Sequence, residues 1–338
     1  MMKFKINIIV LLITLLSITT YQGYSKINNM KNDTLKNNPL LCDPVTGICE
    51  IPNQDSKDST PKTGQSKDNK IKVVYFTDPI CSSCWGIEPQ LRKLKLEYGD
   101  EIEIEYRMGG LLPDWSYNSG GISKPSDVAG HWDEVSTHYD MPIDGDVWLE
   151  DPLDSSYPPS IAFKAAQLQD EAKALLFMRE IREMVFLEKK NIAKWEHLAT
   201  AAKKVGLNVE QLKTDYDGKA KALFEEDLKI AREYGVRGFP TIFFLDKAGN
   251  KETIYGSKPY PFYETSILKL NSNTAKSEYS KNWETLFSKY NTLTAKEYSV
   301  LSGTPRQESE DFLKGLSDSG KLEILTTKNG SIWKAIKQ

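Results

Sequence analysis

Cysteine is scarce in this chain of 338 residues, and it occurs only at Cys42, Cys49, Cys81 and Cys84. Since all four lie in the first quarter of the chain, disulfides cannot hold the remainder together, and the cysteines are local or redox-active groups. Charge of one sign is also scarce, because 44 Lys and Arg face 47 Asp and Glu, for a net charge of −3. This balance excludes the strong overall field that attracts nucleic acid or a lipid surface.

Long apolar runs are missing everywhere except at the N-terminus. There, Lys3 and Lys5 precede an apolar run over residues 6–18, and residues 23–25 (Gly-Tyr-Ser) give a small-x-small cleavage pattern. The run is shorter than the roughly 20 residues that span a bilayer, so residues 1–25 are predicted to be a secretory signal peptide. An uncleaved membrane anchor is the alternative. We therefore expect an exported protein, either periplasmic or extracellular, in a compartment that permits disulfides.

Residues 26–70 are rich in Lys, Asn, Asp, Ser and Thr and carry few large apolar side chains, which predicts a flexible arm. Within the arm, Cys42 and Cys49 bracket six residues of turn-forming types, as in a small disulfide hairpin. This pair is predicted to be either a structural disulfide or a second redox pair that exchanges with Cys81–Cys84. A tether of about 18 residues spans roughly 22–25 Å, which permits the second alternative.

A strand–helix–strand unit is predicted directly after the arm. Residues 71–76 are β-branched and aromatic, which is typical of a buried strand. The cysteine pair follows, then a helix to about Tyr98, and then a second strand over residues 101–106. This order predicts a βαβ unit with the cysteines at the junction of strand and helix.

Helical spacing dominates the next part of the chain, from about residue 125 to 235. Strand patterns return at residues 241–245 and 252–255 as a hairpin, so residues 71–272 are predicted to form one α/β domain with a helical insertion. Residues 277–338 follow as a separate unit of helices and a hairpin around an Asn-Gly turn, the pattern of a winged helix. Its third helix is acidic, so we expect a packing or protein-contact unit, and no nucleic acid is expected as a partner.

The segment Cys81-Ser82-Ser83-Cys84-Trp85 carries the chemistry. Cys81 is expected at the first helical turn, where free backbone N–H groups and the helix dipole stabilise a thiolate. It is therefore predicted to be the exposed attacking nucleophile, with Cys84 as the more buried resolving thiol. Ser82 and Ser83 are expected to donate hydroxyl hydrogen bonds to the thiolate. A zinc site is the alternative, but the other cysteines and the three histidines have no spacing that suits four ligands.

Asp78-Pro79 precedes the cysteine pair, Pro89 lies in the following helix, and residues 238–241 (Gly-Phe-Pro-Thr) stand before the hairpin. This order of motifs resembles the DsbA family of the thioredoxin superfamily. The Trp after the pair and residues 157–160 (Tyr-Pro-Pro-Ser) are similar to the FrnE-like and YjbH-like subgroup of DsbA-like proteins. One departure is Tyr75, which stands where thioredoxin carries a buried acid, so another group or water is expected to move protons to the resolving thiol.

The resemblance implies a thioredoxin fold and a cis peptide bond before Pro240. It further implies that Phe239, Pro240 and Thr241 hold a substrate peptide near the cysteine pair through backbone contacts. The other residues that are expected to support the site are Ser82, Ser83, Trp85 and Asp78. The cysteines themselves carry the electrons, so neither a cofactor nor a metal is expected.

From this resemblance we expect an exported thiol–disulfide oxidoreductase, of the protein disulfide oxidoreductase or isomerase type. It would act on cysteine-containing protein substrates through its redox-active centre and be recycled by a redox partner. The alternatives are a non-catalytic DsbA-like binding or adaptor protein and a FrnE-like glutathione-dependent isomerase. YjbH-type proteins are cytosolic adaptors for a protease, and the predicted signal peptide argues against that role. The direction of electron flow stays open, since oxidases, reductases and isomerases share these residues.

Overall fold

A mixed four-stranded β-sheet forms the centre of the larger unit. The computed structural model describes residue 43 and residues 46–50, 70–116 and 124–336. Six strands belong to this unit: β1 (Cys49–Glu50), β2 (Ile71–Thr77), β3 (Ile102–Met108), β4 (Gly238–Phe239), β5 (Thr241–Leu245) and β6 (Lys251–Tyr255). The sheet has the order β3-β2-β5-β6, with β2 parallel to β3 and antiparallel to β5. A separate two-stranded ladder pairs β1 with β4.

The two central strands are buried because helices cover the sheet. The residues of β2 (Ile-Lys-Val-Val-Tyr-Phe-Thr) are buried at all but one position, and those of β5 (Thr-Ile-Phe-Phe-Leu) at every position. Such near-continuous apolar runs are typical of strands with both faces covered. The crossover from β2 to β3 passes through α1 (Ser82–Gly86) and α2 (Glu88–Tyr98). The break between these helices lies just before Pro89, which has no N–H to continue the helical ladder.

The long connection from β3 to β4 is helical, and one more helix follows the hairpin. Their bounds are α3 (Ser126–Tyr139), α4 (Val147–Glu150), α5 (Tyr157–Gln169), α6 (Glu171–Phe186), α7 (Trp195–Lys204), α8 (Val209–Asp217), α9 (Lys219–Glu233) and α10 (Tyr260–Leu270). Asp170 is the N-cap of helix α6, because its side chain accepts a hydrogen bond of 2.9 Å from Lys173 N. The predicted α/β class, a thioredoxin-like domain with a helical insertion, is confirmed.

The C-terminal unit has its own small core and sheet. Its elements are α11 (Trp283–Lys289), β7 (Thr292–Thr294), α12 (Ala295–Ser302), α13 (Arg306–Asp318), β8 (Leu322–Thr327) and β9 (Gly330–Ala335). The strands lie in the order β7-β9-β8, which leaves β8 at an edge. Leu286, Leu293, Leu313 and Trp333 are buried together between helices and sheet. The helices and hairpin agree with the winged-helix pattern in the sequence, and the short strand β7 is an addition to it.

A buried carboxylate joins this unit to the larger domain. Glu297 of α12 is 0% exposed and lies 3.2 Å from Arg92 Nε of α2 and 2.9 Å from Arg179 Nη1 of α6. Burial raises the pKa of Glu297, but the guanidinium groups of Arg179 and Arg92 outweigh it, so the pKa lies below its usual value. The ion pairs therefore fix α12 against two helices of the thioredoxin-like domain.

Several predictions concern residues that the structure does not describe. The predicted signal peptide (residues 1–25), Cys42 and most of the predicted arm (residues 26–70) lie outside the described residues. The predicted domain bounds, 71–272 and 277–338, stay predictions. Within the described ranges, no helix has the length and the apolar character needed to cross a membrane.

Candidate functional site

The cysteine pair lies where β2 ends and α1 begins. Cys81 is the N-cap residue of α1, with an extended backbone (φ −73°, ψ 104°), and it forms a disulfide with Cys84. The backbone N–H of Cys84 also donates to Cys81 Sγ over 3.1 Å. The expectation of an exposed nucleophile is wrong, because both cysteines are 0% exposed. The cause of this burial lies in the arm.

Residues 46–50 of the arm cover the cysteine pair. Strand β1 pairs antiparallel with β4, with Cys49 opposite Phe239 and Glu50 opposite Gly238. This ladder brings Cys49 Sγ to 3.5 Å from Cys81 Sγ. Cys49 is itself 0% exposed and disulfide-bonded. The arm thus occupies the edge beside Pro240, where the resemblance to the DsbA family implies that a substrate peptide binds.

Two glycines permit this close approach of the arm. A Cβ added at Gly238 would lie 2.6 Å from the carbonyl oxygen of Cys49, and one at Gly256 would lie 2.2 Å from that of Thr46. Real Cβ atoms essentially never come closer than 3.0 Å to another heavy atom. Ser257 N also donates to the carbonyl oxygen of Gly47 over 3.1 Å. Larger residues at either glycine would therefore push the arm off the site.

The predicted cis bond before Pro240 is present, between Phe239 and Pro240. Hydrogen bonds fix the bend on both sides: Thr241 Oγ1 donates to Gly238 O over 2.6 Å, and Gly256 N donates to Pro240 O over 2.9 Å. The Phe239 ring is buried against Gly109, where an added Cβ would lie 1.7 Å from it. The loop therefore presents backbone groups, rather than the Phe239 side chain, to β1.

Residues from the helical insertion hold α1 from its other side. Tyr139 OH of α3 donates to Ser83 Oγ over 3.1 Å, and Trp85 Nε1 donates to the carbonyl oxygen of Pro142 over 3.1 Å. Ser82 and Ser83 are both 0% exposed. Ser83 thus bonds to Tyr139, whereas the sequence predicted a bond to the Cys81 sulfur. No local sequence motif marks Tyr139, because its contact with Ser83 depends on how α3 packs over α1.

Asp78 supports the loops around the cysteine pair. Its Oδ2 accepts from Leu111 N and Ser156 Oγ, both at 2.8 Å, and its Oδ1 accepts from Ile80 N at 3.0 Å. Burial raises the pKa of this 0% exposed carboxyl to about 6, although the three donors oppose the shift. Arg182, which sequence reasoning missed, donates to the carbonyl oxygen of Asp78 over 3.2 Å. An acid that titrates near pH 6 beside two cysteines is typical of a functional site.

Comparison with known proteins shows a match to one family model and to several relatives that share one name. A family model described as Thioredoxin matches residues 75–265. The ClpXP adapter protein SpxH of Halalkalibacterium halodurans is 34% identical over 309 residues, which cover 89% of this chain and 98% of the relative. SpxH of Bacillus subtilis is 29% identical, over 79% of this chain and 89% of the relative. Among solved structures, a putative protein disulfide isomerase from Nitrosomonas europaea matches with a TM-score of 0.50 and 19% identity, covering 60% of this chain and 96% of that chain.

These relatives correct the functional prediction. The expected exported oxidoreductase is contradicted, because relatives over most of the chain are named as ClpXP adapters. The same finding overturns the expected periplasmic or extracellular location and the signal-peptide assignment that led to it. The solved structure shares only 19% sequence identity with this chain, so the match supports the fold and not a function. The FrnE-like or YjbH-like subgroup stays a prediction, while the thioredoxin-like fold is confirmed.

Proposed function

We infer the function from one premise: this chain belongs to the thioredoxin family, and to the same family as the proteins named ClpXP adapter protein SpxH. We propose that it is an adapter, which binds a client protein and presents it to a ClpXP-type protease. Its partners would then be proteins recognised by surface contacts. The cysteine-containing substrates and the recycling redox partner expected from the sequence are not needed for this role.

The observation that carries this proposal is the closed state of the cysteine site. Cys81 and Cys84 are 0% exposed and already joined, and the edge beside Pro240 is paired with the chain's own β1. A redox enzyme that acts on other proteins needs an accessible nucleophilic sulfur. A scaffold that binds proteins elsewhere on its surface has no such requirement, so the closed site favours binding over catalysis.

An adapter also needs a second contact surface, and the C-terminal unit offers one. Strand β8 has a free edge, and its residues Ile324 and Leu325 are 42% and 40% exposed. An exposed apolar edge strand is a template for pairing with a strand of another protein. Because Glu297 anchors this unit to α2 and α6, a protein bound at β8 would be held in a fixed position relative to the larger domain.

The test begins with protein half-lives in cells that contain or lack this chain and ClpXP. A client is a protein whose half-life lengthens several-fold when either component is lost, with no further gain when both are lost. A purified client should then be degraded by ClpXP several-fold faster when this chain is added. If no protein depends on both components, or the chain does not accelerate degradation of a candidate, the adapter proposal is wrong.

Three variants separate surface binding from thiol chemistry in this assay. Ile324→Asp should reduce the acceleration, whereas Thr326→Asp, on the same exposed strand, should leave it intact. The double variant Cys81→Ser/Cys84→Ser should accelerate degradation as well as the unaltered chain does. Loss of acceleration in the double variant would instead favour thiol–disulfide exchange with the client as the basis of function.

A further inference from the structure

We propose that the disulfide of Cys49 is an intramolecular exchange partner of Cys81, so that electrons pass between the arm and the Cys81–Cys84 pair within one chain. The inference does not depend on the adapter function, because the exchange step joins two sulfur atoms of this chain. It assigns a chemical role to a contact that neither protein binding nor the fold requires.

The first support is the distance between the sulfur atoms. Cys49 Sγ and Cys81 Sγ are 3.5 Å apart, although 32 positions separate the two residues in sequence. Reacting atoms about 3–3.5 Å apart are close to an attack geometry. Both residues are 0% exposed, so solvent does not compete for the sulfur atoms in this state.

The second support is the way in which the arm is held. Strand β1 pairs with β4 next to the cis Pro240, and Gly238 and Gly256 leave room for the arm's carbonyl groups. The arm is therefore bound to the strand beside Pro240 by backbone contacts, which hold Cys49 against Cys81. The disulfide of Cys49 is thereby kept at the position that an exchange with Cys81 requires.

The third support is the environment of Cys81. As the N-cap of α1, Cys81 stands at the N-terminal end of this helix, and Cys84 N donates to its sulfur over 3.1 Å. This donor and the position at the helix N-terminus stabilise a thiolate once the disulfide opens. Cys84, three positions further along the chain and inside the helix, remains available as the resolving thiol.

The exchange balances as follows. An external dithiol first reduces the Cys81–Cys84 disulfide and is itself oxidised to a disulfide. The Cys81 thiolate then attacks Cys49 Sγ, the new Cys49–Cys81 bond forms, and the leaving sulfur, assigned by the sequence to Cys42, takes up the proton. Finally the Cys84 thiolate attacks Cys81 Sγ, which restores the Cys81–Cys84 disulfide and releases Cys49 as a thiol. Two electrons have moved from the dithiol to the arm.

The variant Cys84→Ser tests the central step, because it leaves Cys81 as a thiol without its resolving partner. In the purified full chain, Cys81 should exchange with the arm and form a Cys49–Cys81 bond, with Cys42 free. Thiol alkylation, digestion without reduction and mass spectrometry would detect the linked peptides. Cleavage before Asp43 separates Cys42 from Cys49 and identifies which sulfur is bound.

The matched control is Cys81→Ser, which leaves Cys84 as the single thiol of the pair. It should give no link to Cys49, and Cys49→Ser combined with Cys84→Ser should likewise give no link at this position. The proposal is overturned if Cys84→Ser keeps an alkylatable Cys81 beside an intact arm disulfide. It is also overturned if both single variants form the link equally, since position would then not matter.

A second measurement uses the wild-type chain and so does not depend on how Cys84→Ser folds. With a micromolar amount of dithiothreitol, the arm disulfide should be reduced at least about tenfold faster in the wild-type chain than in Cys81→Ser/Cys84→Ser, because tethered groups react at roughly millimolar effective concentration. Equal reduction rates in the two proteins would contradict an exchange between the arm and the pair.

Discussion

The cysteine site and the joint to the C-terminal unit each contain a buried carboxyl group, and the pKa values of the two groups are shifted in opposite directions. Asp78, at the site, accepts hydrogen bonds from two backbone N–H groups and one hydroxyl, and burial raises its pKa to about 6. Glu297, at the joint, lies between two guanidinium groups that hold its pKa below the usual value. Both carboxyl groups are 0% exposed, so the difference comes from their partners: two guanidinium groups pair with the Glu297 carboxylate, whereas Arg182 donates to the backbone carbonyl of Asp78 and not to its carboxylate.

This difference in electrostatics makes the joint the more stable of the two regions and the cysteine site the easier one to open. At the joint, the charges of Glu297, Arg92 and Arg179 compensate one another, and breaking the set leaves buried charge behind. At the site, three neutral donors and the charge of Arg182 only partly offset the burial of Asp78, so ionisation of that acid destabilises the folded state. The covering strand β1 has only two residues in its ladder. We therefore expect perturbations to open the cysteine site before they loosen the C-terminal unit.

The largest effect should follow from Glu297→Ala. Removal of the carboxylate leaves Arg92 and Arg179 buried without their common partner, which typically costs about 3–5 kcal/mol. It also removes the capping box in which Glu297 accepts from Thr294 N over 2.8 Å. The free energy of unfolding at pH 7, measured in urea, should fall by this amount.

Glu323→Ala is the matched control within the same unit. Glu323 pairs with Lys334 at 3.3 Å on the surface, where the two side chains are 59% and 43% exposed. A surface pair of this kind contributes less than about 1 kcal/mol. Equal losses of stability in the two variants would mean that the buried joint is no stronger than a surface contact.

The next largest effect concerns the pH dependence of stability at Asp78. Its folded-state pKa is raised, so its contribution to stability is fully present below about pH 4 and is lost as the pH rises through about 6. A shift of about two pKa units corresponds to roughly 3 kcal/mol. Relative to Asp78→Asn, the wild-type chain should therefore lose about 3 kcal/mol of unfolding free energy between pH 4 and pH 7.

Glu297 should affect the pH dependence of stability in the opposite direction. Its folded-state pKa is lowered, so its contribution is present above the usual glutamate pKa and is lost as the pH falls through the folded-state value. A fall in pH should thus weaken the joint, whereas at the cysteine site it removes the buried negative charge of Asp78. If wild type and Asp78→Asn show the same dependence of stability on pH, Asp78 does not titrate in the folded state as its burial requires.

Most of the fold could be predicted from local patterns in the sequence. The apolar run of β2, the helical spacing after residue 125 and the hairpin turns are all encoded within a few residues of one another. Strand β7 was missed because three residues between two helices give no periodicity to detect. The joint could not be predicted either, because Arg92, Arg179 and Glu297 are far apart in sequence and resemble ordinary surface charges on their helices.

The candidate site was predictable where a motif marks it and not elsewhere. Cys81, Cys84 and the cis bond before Pro240 stand in motifs whose geometry is local. The burial of Cys81 depends instead on β1, which pairs with a strand nearly 190 positions later, and on the glycines that admit it. The prediction of an exported oxidoreductase is wrong for a related reason: the N-terminal pattern and the cysteine motif both favour it, whereas no local motif marks a protein-binding role.

The smallest change in stability should come from Gly238→Ala, which tests how firmly the arm is held. The added Cβ would lie 2.6 Å from the carbonyl oxygen of Cys49, so β1 must shift and lose ladder hydrogen bonds worth about 1 kcal/mol. A loss of about 1 kcal/mol raises the open population roughly fivefold. Dithiothreitol should therefore reduce the Cys81–Cys84 disulfide about fivefold faster if reduction requires the arm to open. Gly315→Ala in α13, where an added Cβ meets nothing within 4 Å, should leave this rate unchanged. An unaltered rate in Gly238→Ala would mean that β1 does not control access to the cysteine pair.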